Sequence, residues 1–391
     1  MEDIYNNKAC THTDGVCPLA NVSHDLGHLH YTIHQPLPLP TQSLQPNKII
    51  AVMGFATDGA IWFNTVDYFT NKGFTVLTFD NRGCGQSSDP LSYFGLSIYG
   101  MSQDALTLLD YLGWATTSTH LIGTSMGGMI SQELLAQRHF LSASLILTTR
   151  SSAAWFPMSG VAFLVRTGLW YLFQTWRTIF NPHSILYARS TNTAVAMNFS
   201  RTWLNQRSGF DHPTTNAPMT NETYLAMTSD KIWWAKKNKG KNPTPPLIGM
   251  VAQMYACATH DIDAQKMATI KARNVPTLVV GALHDKMIKY ERSQELAKEL
   301  NPVDFVTLNS GHTVIECHLE LNQAVERLLN HAENGENRSG MGSSSSSSSG
   351  GGGSSSSGSS GSSCCALQVE ECGPSGDDDS NNCQPLLQSS L

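Results

Sequence analysis

Short, continuous apolar runs alternate along most of this chain with segments whose apolar residues recur at helical spacing. No other feature restricts the fold as strongly. KIIAVMGF (48–55), FTVLTFD (74–80), HLIGTS (120–125), SASLILTT (142–149), VPTLVVGAL (275–283) and DFVTLNS (304–310) each read as a strand buried on both faces. Between the first two, Trp62, Val66 and Phe69 repeat as on a helix. ALTLLDYLGW after Ser102-Gln103-Asp104, MGGMISQELLAQR (126–138), Tyr290–Leu300 and Ile315–Leu329 supply further helices. Strand–helix alternation of this kind predicts an α/β fold, a mostly parallel sheet flanked by helices on both faces.

Departures from the alternation set the domain boundaries. HLHYTIH (28–34) places Leu29, Tyr31 and Ile33 on one face, as in an antiparallel edge strand with one wet side. Residues 1–27 read as a loosely ordered N-terminal arm. The core then covers 28–152 and 264–330. Between them, 153–263 is rich in aromatics and shows no convincing strand, so a helical cap is expected. Its place is over the C-terminal strand ends, where such sheets bind ligands. From Met341 to Ser363 the chain is almost pure serine and glycine, and 331–391 is expected to be a disordered Ser/Gly-rich tail.

Composition removes several function classes. The formal net charge is −6, which argues against a nucleic-acid partner. The opening MEDIYNNKAC has no apolar stretch, and no run reaches the ~18 apolar residues of a spanning helix. Trp155–Phe180 comes nearest but contains Arg166 and Arg177. Nine cysteines over a long chain suit a reducing compartment, so a cytoplasmic, intracellular location is expected.

The stretch GTSMGG at 123–128 carries the chemistry. Ser125 lies in a G-x-S-x-G pattern with a strand before it and a helix after it. Gly123 and Gly127 are the small neighbours that a sharp strand-to-helix turn needs, and the turn lifts the Ser125 hydroxyl into the open. The Met126 N–H, at the helix N-terminus, is then a candidate oxyanion donor. A second donor is expected from the loop after the first long strand, at the Phe55 N–H. A serine nucleophile also needs a base and an orienting acid. In the chain order Ser–Asp–His, Asp285 after the fifth run and His312 after the sixth fill those places. His284 is a rival base, adjacent in sequence to Asp285. His260, Asp261 and Asp263 are candidates to line the pocket.

Taken together, MGF (53–55), DNRGCGQS (80–87), GTSMGG (123–128), Asp285 and SGH (310–312) resemble the α/β-hydrolase superfamily, over roughly residues 28–330. The wording around Ser125 is similar to the serine-nucleophile, esterase- or lipase-like branch. The resemblance implies a serine hydrolase of esters with no cofactor, and structural hydrogen bonds for Asp80 and Arg82. Met53-Gly54 departs from the more usual His-Gly of that loop, which removes a supporting side chain. The same constellation also serves acyltransferases, C–C-bond hydrolases and binding modules of little turnover.

The aromatic Trp155–Phe180 stretch points to a small-molecule or lipid ester with a hydrophobic acyl or alcohol group; an apolar cap could also make peripheral membrane contact, which no other feature of the sequence supports. Cys10, His12, Cys17, His24 and His28 match no zinc spacing, so no metal is expected. Cys364-Cys365 is a weak lipidation signal without a polybasic neighbour.

Overall fold

The computed structural model describes residues 10–19, 27–37, 47–90, 95–151, 199, 201–212, 214–224, 227, 246–313 and 317–341. Its strands are β1 (Cys10–Pro18), β2 (His28–Pro36), β3 (Lys48–Val52), β4 (Thr75–Phe79), β5 (Thr119–Thr124), β6 (Ser142–Ile146), β7 (Arg207–Asp211), β8 (Pro218–Thr220), β9 (Thr277–Ala282) and β10 (Asp304–Leu308). Eight of them form one sheet in the order β1-β2-β4-β3-β5-β6-β9-β10. From β4 to β10 every neighbour is parallel, while β1–β2 and β2–β4 are antiparallel. All of the apolar runs read as strands enter this sheet.

The principal helices are α1 (Phe63–Thr70), α2 (Ile98–Tyr111), α3 (Met126–Gln137), α4 (Arg201–Asn205), α5 (Leu247–Ala258), α6 (Ala264–Ala272), α7 (Tyr290–Leu300) and α8 (His318–Met341). Successive strand residues face opposite ways, so each strand feeds two cores. Ile49 and Ala51 join Val66 and Phe69 of α1 and Leu321, Val325 and Leu328 of α8. Ile50 and Val52 join Leu108 of α2, Ile130 and Leu134 of α3, Ala252 of α5 and Met267 of α6 on the other face. Burying each such leucine or isoleucine stabilises the fold by about 1.5–3 kcal/mol.

Five expectations are corrected. Residues 1–27 are not a loose arm throughout, because Cys10–Pro18 pairs in register along β2. Its polar residues face water while Cys10, Cys17 and nearby Leu19 turn inward, so no apolar run marks it. In consequence β2 is not the edge strand; β1 covers its open backbone groups. Within 153–263, β7 and β8 form a two-stranded hairpin where no strand was expected, since these short segments are largely polar. α8 continues through 331–341, past the expected end near residue 330, with Ala332 still buried. Finally, α2 begins at Ile98, where Ser97 Oγ accepts the Gly100 N–H at 3.0 Å.

Most of 153–263, including Trp155–Phe180, lies outside the described residues, as do His24 and Cys364-Cys365. Among the described residues no helix is long and apolar enough to cross a membrane.

Candidate active site

The β5–α3 turn presents Ser125 with φ 56° and ψ −119°, a conformation residues with a Cβ rarely adopt. The turn is held from both sides. The Ser125 N–H donates to the Ile146 carbonyl at 2.8 Å, and the Ser125 carbonyl accepts the Gly128 and Met129 N–H groups at 2.9 and 3.2 Å. Its neighbours have no room for side chains. A Cβ on Gly127 would lie 2.1 Å from the Val52 carbonyl oxygen, and one on Gly123 2.2 Å from Ser131 Oγ.

Two further strand ends meet this turn. Asp285 follows β9, and its Oδ1 accepts the Met287 and Ile288 N–H groups at 2.7 and 2.8 Å. Its Oδ2 lies 2.7 Å from His312 Nδ1, just beyond β10. His312 Nε2 is 2.9 Å from Ser125 Oγ. A carboxylate only accepts, so the proton is on Nδ1 and Nε2 is free to accept from the serine hydroxyl. Asp285 and His312 are both buried. Chemically, this arrangement can move the hydroxyl proton onto an imidazole whose other nitrogen faces a fixed negative charge.

The loop after β3 is anchored next to Ser125. Asn81 Nδ2 donates to the Met53 carbonyl at 2.8 Å, and Thr57 Oγ1 donates to the carbonyls of Gly54 and Phe55, each at 3.3 Å. A Cβ on Gly54 would stand 3.2 Å from the Ser125 Cβ, which shows how closely this loop passes the hydroxyl. Met126 is the first residue of α3, where N–H groups have no acceptor within the helix. Met126 follows Ser125 directly at the start of α3, and Phe55 follows Gly54 in the loop that passes Ser125.

Asp80 and Arg82 have the bonds that the resemblance implied. Asp80 accepts the Gly59 and Gln86 N–H groups at 2.9 Å each, and His30 Nδ1 approaches at 3.3 Å. Burial works to raise its pKa, but the bonds from His30, Gln86 and Gly59 prevail and hold it below the ordinary value. Arg82 makes a bidentate pair with Asp104, its Nε donating at 3.0 Å.

The other candidates are engaged elsewhere. His284 Nε2 lies 2.9 Å from Asn309 Oδ1. Asp263 caps α6 by accepting the Lys266 N–H at 2.8 Å. Burial depresses His260 to about 4. Asp261 bridges to Ser151 and borders a cavity of about 310 Å³ with Arg150, Arg292 and Glu299; none of Ser125, Asp285 and His312 lines it. Among the described residues no group of three or more His, Cys, Asp or Glu is placed to hold a metal ion. Sequence reading missed two loop anchors, Asn81 and Gln253. The one signal for Gln253 is an amide within the apolar helix sequence LIGMVAQMYACA.

A family model described as the alpha/beta hydrolase fold matches residues 48–318. The chain belongs to the α/β-hydrolase fold family. This α/β hydrolase is 25% identical over 295 residues to RutD of Variovorax paradoxus (strain S110), a candidate carbamate hydrolase by name, covering 74% of this chain and 91% of that one. The enol-lactonase of Burkholderia xenovorans LB400 superposes with a TM-score of 0.54 at 20% identity, over 78% of this chain and 97% of the other. A thermophilic esterase from Thermogutta terrifontis gives 0.55 at 16% identity, over 82% and 99%. At those identities the two structures speak for the α/β-hydrolase fold alone.

Proposed function

We propose that this α/β hydrolase cleaves carboxylic esters through an acyl-enzyme, with Ser125 as nucleophile, His312 as general base and Asp285 as its orienting acid. One observation carries the reading: the unbroken line from Asp285 to His312 at 2.7 Å and from His312 to Ser125 at 2.9 Å. As Oγ attacks the ester carbonyl, His312 Nε2 takes the hydroxyl proton. Asp285 steadies the imidazolium that forms. The N–H groups of Phe55 and Met126 receive the oxyanion. Collapse expels the alcohol, which regains the proton from His312, and water then releases the acid by the same steps. The preference for a hydrophobic acyl or alcohol group rests on the sequence of 155–180, in the segment proposed as a cap.

A carbamate is the second reading, supported by the name of the RutD relatives that this chain matches over 91% and 89% of their length. Its carbonyl would meet the same nucleophile. Labelling with a fluorophosphonate probe, followed by a screen of ester chain lengths and simple carbamates, tests both. Ser125→Ala is expected to abolish labelling and to lower kcat on the order of a millionfold. Turnover that persists in that variant rejects the assignment. Labelling without turnover of any ester or carbamate moves the protein to the binding modules of this fold.

A further inference from the structure

Gln253 is fully buried on α5, in the segment that leaves the sheet after β6 and returns at β9. Its Oε1 accepts the Ala56 N–H at 2.8 Å, and its Nε2 donates to the Arg82 carbonyl at 2.9 Å. These partners leave the amide one orientation, since only oxygen can face the N–H and only nitrogen can face the carbonyl. Ala56 holds φ at 55°, a left-handed conformation that a residue with a Cβ keeps only when its surroundings impose it. The Ala56 N–H and the Phe55 carbonyl belong to one planar peptide unit. Gln253 holds one end of that unit and Thr57 Oγ1 the other. The contact is close by construction: a Cβ on Gly249, one turn earlier on α5, would lie 2.0 Å from the Gly83 carbonyl oxygen.

We propose that Gln253 is a positioning residue for the oxyanion, holding the Phe55 N–H on target through the Ala56 peptide and making the site depend on α5. This rests on the ester-hydrolase reading. An ordinary packing amide would hold α5 in place and leave the chemical step alone, so the test must separate chemistry from folding. Wild type, Gln253→Leu and Gln253→Glu are compared in p-nitrophenyl butyrate turnover, and hydrogen exchange is followed at the Ala56 amide.

In Gln253→Leu, kcat is expected to fall about ten- to a hundredfold, short of the loss of a whole donor, with KM changed less than about threefold. Exchange at Ala56 should quicken by at least about tenfold. Gln253→Glu keeps the acceptor for Ala56, and when protonated it also restores a donor to Arg82. Its kcat relative to wild type should therefore rise as pH is lowered from about 8 to about 6, because burial favours the neutral acid. Wild-type kcat in both variants, or unchanged Ala56 exchange, overturns the proposal. A wild type no more active than Ser125→Ala defeats the ester reading instead, and Ala56 exchange then still decides whether Gln253 is the clamp.

Discussion

His312 Nε2 lies 2.9 Å from the Ser125 hydroxyl across 187 residues of sequence. The parallel sheet makes this meeting possible, because it brings the C-terminal ends of β5, β9 and β10 to one edge. Asp285 completes the line through His312 Nδ1. On the proposed mechanism its role is to fix a tautomer, which gives it a distinctive failure.

Asp285→Asn should therefore fold normally and still lose kcat by about a thousandfold or more, because an amide no longer enforces a proton on His312 Nδ1. His284→Ala, one position away, should change kcat by less than about twofold, since His284 is engaged by Asn309 at 2.9 Å. Steady-state kinetics on the two purified variants checks the contrast.

The two kinds of glycine in this chain should respond differently to a methyl group. Gly127→Ala drives a Cβ to 2.1 Å from the Val52 carbonyl oxygen, and a loss of roughly 2–3 kcal/mol is expected. At Gly113, with φ 65° and open space around it, only the backbone conformation is penalised, at about 1 kcal/mol. Urea unfolding midpoints of the two variants measure the difference.

Burial of neutral histidines should make the fold acid-labile. Burial depresses His34 to about 3, with His12 adding to the effect, and depresses His260 to about 4. Both folded values lie below the ordinary histidine pKa of about 6.5, so the unfolded chain takes up protons first as pH falls. Stability should be complete above that value and decline below it, each histidine contributing up to about 1.4 kcal/mol per pH unit. His34→Gln, which keeps a side-chain amide near Thr78, should flatten the slope of urea midpoint against pH.

The Arg82–Asp104 pair should behave as a pair that burial has made dependent on itself. Burial outweighs the Arg82 hydrogen bond and charge and leaves the Asp104 pKa above its usual value. Asp104→Leu alone should cost about 3 kcal/mol, because Arg82 keeps a largely buried charge. Arg82→Leu combined with Asp104→Leu should recover most of that loss. A double-mutant cycle in urea settles the point.

The sequence was readable wherever burial was one-sided or complete. KIIAV, TVLTF and TLVVGA are strands covered on both faces, and an unbroken apolar run is their signature. Ser125 and Asp285 were legible because each closely follows such a run, whereas His312 follows β10, an edge strand only partly covered. CTHTDGVCP hid its strand because most of its length faces water and the ladder to β2 is made by backbone groups, which no side chain encodes. Gln253 was hidden for a related reason. An amide in an apolar helix announces a buried partner, yet the partners are an N–H and a carbonyl from loops some 197 and 171 residues away.

Strands β6 and β9 pair directly, with Ala143 opposite Thr277, although the whole inserted segment is synthesised between them. During translation, Ser125 thus emerges long before Asp285, which follows β9, and His312, which follows β10. On the proposed mechanism, a growing or truncated chain displays a harmless hydroxyl, and reactivity appears only when the last parallel pairings have closed. On that mechanism, nucleophile labelling of this protein doubles as a clock for the completion of folding.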